Sequence, residues 1–232
     1  RAPLYAASGV GVLNFLIAGR DTTACALSWV WLELLRRPAM LAKVRAEADA
    51  VFGRDGNGDG GGDGDGAEYT YDSVRKLRYT QAVVTEALRL HPSVPQDIKY
   101  SIAADVLPDG TQVPANALVH YSPYALGRSP AVFEDPLAFK PERWLTEAAD
   151  DAGSETKKKA PEPSVFETAV FNAGPRLCLG KNLAHLEIKL MTAVLARRFD
   201  FALAGPHSDA YKRTIVQPPK HGVRVRVALR GE

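Results

Sequence analysis

Cysteine is scarce in this sequence: of 232 residues, only Cys25 and Cys178 carry a thiol, which is too few and too far apart for a disulfide framework. The five histidines, at 91, 120, 185, 207 and 221, show none of the short spacings of a structural zinc site. Charge of one sign is missing as well. The chain has 29 basic and 27 acidic residues, a formal net charge of +2, which gives a polyanion no footing and excludes nucleic acid as the expected partner. No long hydrophobic run occurs. The longest, "GVGVLNFLIAG" at residues 9 to 19, ends at Arg20 and Asp21, short of the roughly 20 apolar residues that a bilayer-spanning helix needs. The start shows no secretory signal pattern. Because Arg1 leads straight into a helical pattern, the sequence reads as a portion of a longer chain, with any membrane contact through the missing part.

What is present is ordinary for a globular domain, with 46% apolar and 24% charged residues on a chain long enough to bury a sizeable core. Apolar residues at 12, 13, 16, 17, 27, 30, 31, 34 and 35 recur at helical steps and predict one long helix over 10 to 35. A second helix is expected over 39 to 52 behind Pro38, a short one over 72 to 77, and a firm one over 79 to 90 stopped by Pro92. Residues 98 to 121 hold a Pro-Asp-Gly turn between extended pieces and predict a small antiparallel sheet. Residues 123 to 170 are proline-rich and aperiodic, with a solvated "SETKKKAPEP" patch. A helix over 181 to 199 and a strand over 223 to 229 complete the pattern. The expected class is mainly α with small β-sheets.

The stretch "GRDGNGDGGGDGDGAE", residues 53 to 68, reads as a flexible Gly/Asp-rich insertion, because its glycines cost too much backbone entropy to be ordered unaided. Asp55, Asn57, Asp59 and Gly60 match the opening positions of a calcium-binding EF-hand loop. The twelfth position, where a bidentate glutamate is required, is Gly66, so calcium binding is not expected.

Three constellations carry chemistry. In "FNAGPRLCLG", residues 171 to 180, Gly174, Pro175 and Gly180 permit tight turning and the close approach of a planar object. Cys178 precedes a helix whose free N–H groups would stabilise a thiolate, with Arg176 adding positive charge. A buried cysteine in a turn, a redox-reactive thiol and a thiolate metal ligand are all compatible with this pattern. One protein ligand suffices where a macrocycle such as haem supplies the rest of the coordination.

In "TEALRL", Glu86 and Arg89 are three residues apart and share a helix face. Arg143 of "FKPERW" would complete a three-member network that fixes irregular chain, an architectural role suited to arginine's rigid fork. The third constellation is "AGRDTT", residues 18 to 23. Ala18 and Gly19 leave room beside the long helix, and Asp21 and Thr22 offer a carboxylate and a hydroxyl. A solvated helix face would look like this, and so would a site that fits a diatomic ligand and delivers protons to it.

Taken together and in this order, the motifs resemble those of the cytochrome P450 family, its C-terminal half. The signature Phe-x-x-Gly-x-Arg-x-Cys-x-Gly is met by Phe171, Gly174, Arg176, Cys178 and Gly180. The oxygen-activating helix motif is met by Ala18 to Thr23, Glu-x-x-Arg by Glu86 and Arg89, and Pro-Glu-Arg by Pro141, Glu142 and Arg143.

The resemblance implies haem b with Cys178 as the axial iron ligand, and a cofactor site formed by Lys99, Phe171, Gly174, Arg176, Leu177, Leu179, Gly180 and Ala184. Arg176 would pair with a haem propionate, as would Lys99, where the family commonly carries arginine. Asp21 and Thr22 would be catalytic, and Ala18, Val94, Pro95 and Gln96 would face substrate. The activity implied is monooxygenation, with electrons from NADPH through NADPH-cytochrome P450 reductase, O2, and a lipophilic substrate, at the cytosolic face of the endoplasmic reticulum membrane.

"SVPQDIK" and "LPDGTQVPANALVHYSPYALGR" look like the plant and algal branch that hydroxylates fatty acids or alkanes. Members that rearrange peroxides tend to lose the acid-threonine pair and distort the cysteine loop, and both are intact here. A degenerate or truncated fragment unable to hold haem is the alternative from a different class.

Overall fold

The computed structural model describes residues 4–53, 69–145 and 168–231. The "SETKKKAPEP" patch and, apart from Gly53, the Gly/Asp-rich insertion lie outside the described residues.

Helix α1 spans Leu4–Leu35, six residues earlier than the apolar periodicity places its start, and at 1.5 Å per residue it is about 48 Å long. Its two halves have different surroundings. From Cys25 onward it is core, with Trp29, Val30, Leu32 and Leu34 at 1% exposure or less, whereas Val12, Leu13, Phe15, Leu16 and Ile17 are all more than half exposed. Proline ends the run: Pro38 pushes Arg37 to φ −130° and ψ 76° and then opens α2, Pro38–Phe52, where its missing N–H costs nothing. Leu41, Val44, Ala48 and Phe52 form the buried stripe of α2.

Helix α3, Tyr71–Arg75, is capped reciprocally by Thr70 and Ser73, which satisfies two otherwise free amides. Helix α4, Arg78–Leu90, is buried on nearly every side. Its N-terminus is held by α2, because Glu47 accepts from the amides of Tyr79 at 2.6 Å and Thr80 at 2.8 Å, placing a carboxylate at the positive end of the helix.

The extended region resolves into two separate antiparallel pairs instead of one sheet. β1 (Asp97–Tyr100) pairs with β4 (Leu118–Tyr121), and β2 (Asp105–Val106) pairs with β3 (Gln112–Val113). A short helix α5, Pro123–Leu126, follows, with Ser122 as its cap. Then come 3-10 turns at Pro141–Trp144 and Gly174–Arg176 and a long helix α6, Lys181–Arg198.

β5 (Phe199–Leu203) continues directly from α6 and pairs with β6 (Val225–Leu229). Arg45 of α2 marks this junction: it donates to the carbonyls of Ala196 and Phe199 and to Asp200, satisfying carbonyls that the helix end leaves open.

The main core joins α1, α2, α4 and α6 through Val30, Leu34, Leu41, Val44, Val83, Val84, Ala87 and Ile188. Each of the large side chains among these contributes about 1.5 to 3 kcal/mol by leaving water. Val170 and Phe171, at the start of the cysteine segment, pack against this core, so the helices fix the base of that loop.

Candidate functional site

The cysteine loop owes its shape to three left-handed residues, Ala169 at φ +48°, Asn172 at φ +65° and Gly174 at φ +60°, a region that residues with side chains rarely adopt. Backbone hydrogen bonds close it. Asn172 N donates to Ala169 O at 3.0 Å, Leu177 N to Gly174 O at 3.1 Å, and Cys178 N to Phe171 O at 2.8 Å. The last bond pins the cysteine to the residue that anchors the loop in the core. The Phe171 ring lies 5.0 Å from that of His185 on α6, and His185 in turn meets Gln81 of α4 at 3.0 Å.

Cys178 is a free, exposed thiol at the mouth of α6. It is flanked by apolar side chains turned outward, Leu177 at 43% and Leu179 at 90% exposure. A methyl at Gly174 would meet nothing within 4 Å, so its glycine serves the positive φ, and the space above it is open. At Gly180 a Cβ would stand 3.8 Å from the Cys178 sulfur. Ala184 lies one turn into α6, its amide donating to Gly180 O at 2.8 Å. Arg176 is exposed. A free thiol with apolar flanks and a loop surface kept clear of side chains suits a flat, apolar, thiolate-ligated group, and haem fits this donor set.

The acid-threonine pair lies at the boundary between the exposed and buried halves of α1. Thr22 is half-buried and donates through Oγ1 to the Ala18 carbonyl at 2.8 Å. Asp21 is exposed beside Arg20, at 3.9 Å. Ser93, to which sequence reasoning gave no role, donates to the Thr22 carbonyl at 2.8 Å and accepts from Gln217 N at 3.0 Å through its own carbonyl. This ties the Thr22 turn to the segment after α4. Within that segment Val94 is half-buried and Gln96 exposed, while Pro95 is buried. Its carbonyl accepts from Ser122 and Tyr124, which fixes the course of the segment.

The structure brings Glu86, Arg89 and Arg143 together. Glu86 and Arg89 are fully buried and joined by two hydrogen bonds of 2.8 Å each, and Arg143 Nε reaches Glu86 at 3.0 Å. Two further donors from the same "FKPERW" stretch, to which sequence reasoning gave no role, complete the shell of Glu86: the Lys140 amide at 2.8 Å and the Trp144 indole at 2.9 Å. Arg89 spends its remaining donors on the carbonyls of Gly127, Pro136 and Ala138. Three carbonyls of irregular chain are thus fixed by one guanidinium.

Lys99 does not stand free. Its ammonium lies 2.6 Å from Asp97, and Asp97 also accepts from Tyr121 and Asn172. The hydrogen bond from Lys99 holds the Asp97 carboxyl well below the usual range, burial opposes this, and the bonds from Asn172 and Tyr121 reinforce it. The signal for this cluster in the sequence is weak: Asp97 and Lys99 alternate on one side of a strand, and nothing local points to Asn172.

A family profile described as cytochrome P450 matches residues 10–223. Among curated proteins the chain is similar to "Cytochrome P450 704B1" of Arabidopsis thaliana, at 36% identity over 94% of this chain and 43% of that protein. It is also similar to "Cytochrome P450 86B1" of the same plant, at 34% identity over 94% of this chain and 38% of that protein. "Alkane hydroxylase MAH1", again of Arabidopsis thaliana, is 36% identical over 93% of this chain and 38% of that protein. The chain therefore spans well under half the length of these relatives.

Proposed function

Because the chain belongs to the cytochrome P450 family, we propose that it forms the ligand-bearing and proton-handling portion of a haem-thiolate monooxygenase. The reaction is insertion of one atom of O2 into a C–H bond of a lipophilic substrate, a fatty acid or alkane. The observation that carries this reading is the free thiol of Cys178, held by the bond from its own amide to Phe171 and exposed between Leu177 and Leu179.

Cys178 would hold the iron of haem b, with Phe171, Gly174, Leu177, Leu179, Gly180 and Ala184 around it and Arg176 and Lys99 as cations for the propionates. When bound, haem supplies the activation of dioxygen with electrons delivered from NADPH by a reductase.

The chain's own residues do the rest. The hydrogen of Thr22 Oγ1 is committed to the Ala18 carbonyl, so the hydroxyl offers its lone pairs to accept from water in the site. Asp21, exposed next to it, is the carboxylate through which solvent protons would reach the water that Thr22 holds. Ala18, Val94 and Gln96 orient the substrate. The exposed apolar half of α1 suits a lipophilic molecule better than a polar one. The substrate class also draws support from the relative named as an alkane hydroxylase.

Among the described residues no helix is long and apolar enough to cross a membrane. We place the full-length protein at the endoplasmic reticulum surface, with membrane contact through a segment outside this chain.

Isotopically labelled dioxygen, supplied with NADPH, reductase and a long-chain fatty acid or alkane, tests the proposal. Label in the hydroxylated product is the expected result. Oxygen drawn from water or from a peroxide substrate would contradict it and favour the peroxide-rearranging chemistry.

A further inference from the structure

Asn172 stands second in the cysteine loop, between the anchoring Phe171 and the turn at Gly174, in a left-handed conformation at φ +65°. The haem-binding signature leaves this position open. In the structure the Asn172 side chain is committed on both of its polar atoms: Nδ2 donates to Asp97 Oδ2 at 2.9 Å, and Oδ1 faces the Tyr121 hydroxyl.

Asp97 and Tyr121 are direct partners across the β1–β4 pair, and the Tyr121 hydroxyl also lies 2.8 Å from Asp97 Oδ2. Asp97, Tyr121 and Asn172 therefore form a three-membered ring of polar contacts, in which the single hydroxyl hydrogen of Tyr121 serves either the Asp97 carboxylate or the Asn172 carbonyl while Asn172 Nδ2 donates to Asp97. Lys99 adds its charge at 2.6 Å, and the Ile98 amide binds the second carboxylate oxygen at 2.7 Å. Hydrogen bonds to an ionised acceptor are roughly twice as strong as neutral ones.

The ring has a direct line to the ligand. Asn172 follows Phe171, and the Phe171 carbonyl accepts from the amide of Cys178 at 2.8 Å. The β1–β4 pair thus holds, through one carboxylate, the residue that sets the start of the cysteine loop. An asparagine tolerates left-handed backbone better than most residues but does not require it, so a side chain anchored through its amide on Asp97 supplies the constraint that composition leaves out.

We propose that Asp97 is a positioning residue for the Cys178 ligand, acting through Asn172 and Tyr121 to fix the cysteine loop in the one shape that presents the sulfur to the iron. The role rests on the reading of Cys178 as the haem ligand. Lys99 thereby gains a second role, since its charge keeps Asp97 ionised as an acceptor while its ammonium stays at the edge of the site.

The test uses the full-length, haem-loaded protein in four forms: Asp97→Asn, Asn172→Asp, the double exchange of both, and Tyr121→Phe. Two properties are read, the share of haem that gives the red-shifted Soret band of thiolate ligation in the reduced carbon monoxide complex, and the rate of haem loss to excess apomyoglobin. Asn172→Asp sets two carboxylates against each other, and Asp97→Asn removes acceptor capacity that three side chains share.

Each single variant at these two positions is expected to lose haem about tenfold faster, the lower end for removing a group that orients a metal ligand, with part of the thiolate band lost. The double exchange, which restores one carboxylate facing one amide, is expected to recover both properties. Wild-type values in both single variants, or a double exchange no better than the worse single, would overturn the proposal. Should Asp97→Asn yield no folded protein, Tyr121→Phe decides: faster haem loss supports the ring, and an unchanged rate sinks it. A Cys178→Ser control that kept the thiolate band would remove the ligand assignment and the proposal with it. Loss of the band there, with the ring variants unaffected, removes the proposal alone.

Discussion

Glu86 and Arg89 lie one helical turn apart on α4, with both side chains at 0% exposure and two parallel hydrogen bonds of 2.8 Å between them. A pair so completely removed from water is stable only because the rest of its hydrogen-bonding capacity is met: Arg143, the Lys140 amide and Trp144 complete Glu86, and three carbonyls complete Arg89. The pair organises irregular backbone, and the helices provide the dry place in which it does so.

Removing one cation from this cluster leaves a buried carboxylate under-compensated. Arg89→Ala is expected to cost about 3 to 5 kcal/mol, the range for breaking a buried pair from one side. Arg143, partly exposed in its side chain at 15%, should cost less. Urea unfolding and haem content measure both. Loss of folded, haem-loaded protein is the expected outcome, whereas normal yield with only altered kinetics would show that the cluster is not architectural.

Gly127 has a narrower reason to be glycine. Its φ of −62° is open to any residue, but a Cβ would stand 2.2 Å from the Arg89 carbonyl oxygen, which is backbone and cannot swing away. Gly127→Ala is therefore expected to destabilise by about 1 to 3 kcal/mol through overpacking, read as a lower urea midpoint at unchanged slope. A midpoint equal to that of the wild type would mean that the two segments separate freely.

Glu33 gives the acid limb of stability a specific origin. It is 4% exposed at the end of α1, 3.0 Å from His91, whose ring stacks on Trp29 at 4.0 Å. Burial raises the Glu33 carboxyl, but the hydrogen bond and charge of His91 and the charges of Arg37 and Arg36 outweigh it, so the group titrates below its ordinary value. A depressed carboxylate stabilises the fold at pH above its unfolded value of about 4.3 and loses that contribution as the pH falls through the folded one. The difference in melting temperature between wild type and Glu33→Gln should shrink in acid below that value. A gap that widens in acid would contradict this sign.

Thr22→Ala separates proton handling from packing. The hydroxyl bonds within its own helix, so haem, carbon monoxide and substrate binding should survive its loss. Coupled turnover is expected to fall roughly tenfold to ten-thousandfold, the range for a positioned proton donor or acceptor, with NADPH still consumed and hydrogen peroxide released. Unchanged coupling would leave Thr22 without a catalytic role.

Much of the fold was legible because long amphipathic helices announce themselves. The four principal helices are fixed by apolar spacing and by Pro38 and Pro92, both local signals. β5 was not legible, since Phe199 to Leu203 follow α6 with no breaker and become a strand only by pairing with β6, more than 20 residues later. The division of the extended region into two pairs is likewise a matter of register, which spacing within one strand does not encode.

In the site, Glu86 and Arg89 could be paired by their three-residue spacing, Arg143 joined them as an arginine in a second motif of irregular chain, and the cysteine loop stood out by composition. The Lys140 amide, the Ser93 hydroxyl and the Asp97–Asn172 bond were hidden for one reason: each depends on where a distant segment brings a single polar atom.

Every role proposed for the site depends on Cys178, not Cys25, being the thiol that holds haem iron. Cys25 is 2% exposed, and burial pushes its thiol up despite hydrogen bonds to Ser93 and Gln217, whereas Cys178 is exposed at the end of its loop. The two thiols are told apart by the spectrum of the reduced, carbon monoxide-treated full-length protein carrying Cys178→Ser or Cys25→Ser. The red-shifted Soret band of thiolate-ligated haem should disappear in the first variant and persist in the second. A band that survives Cys178→Ser would place the iron ligand elsewhere and overturn the assignment.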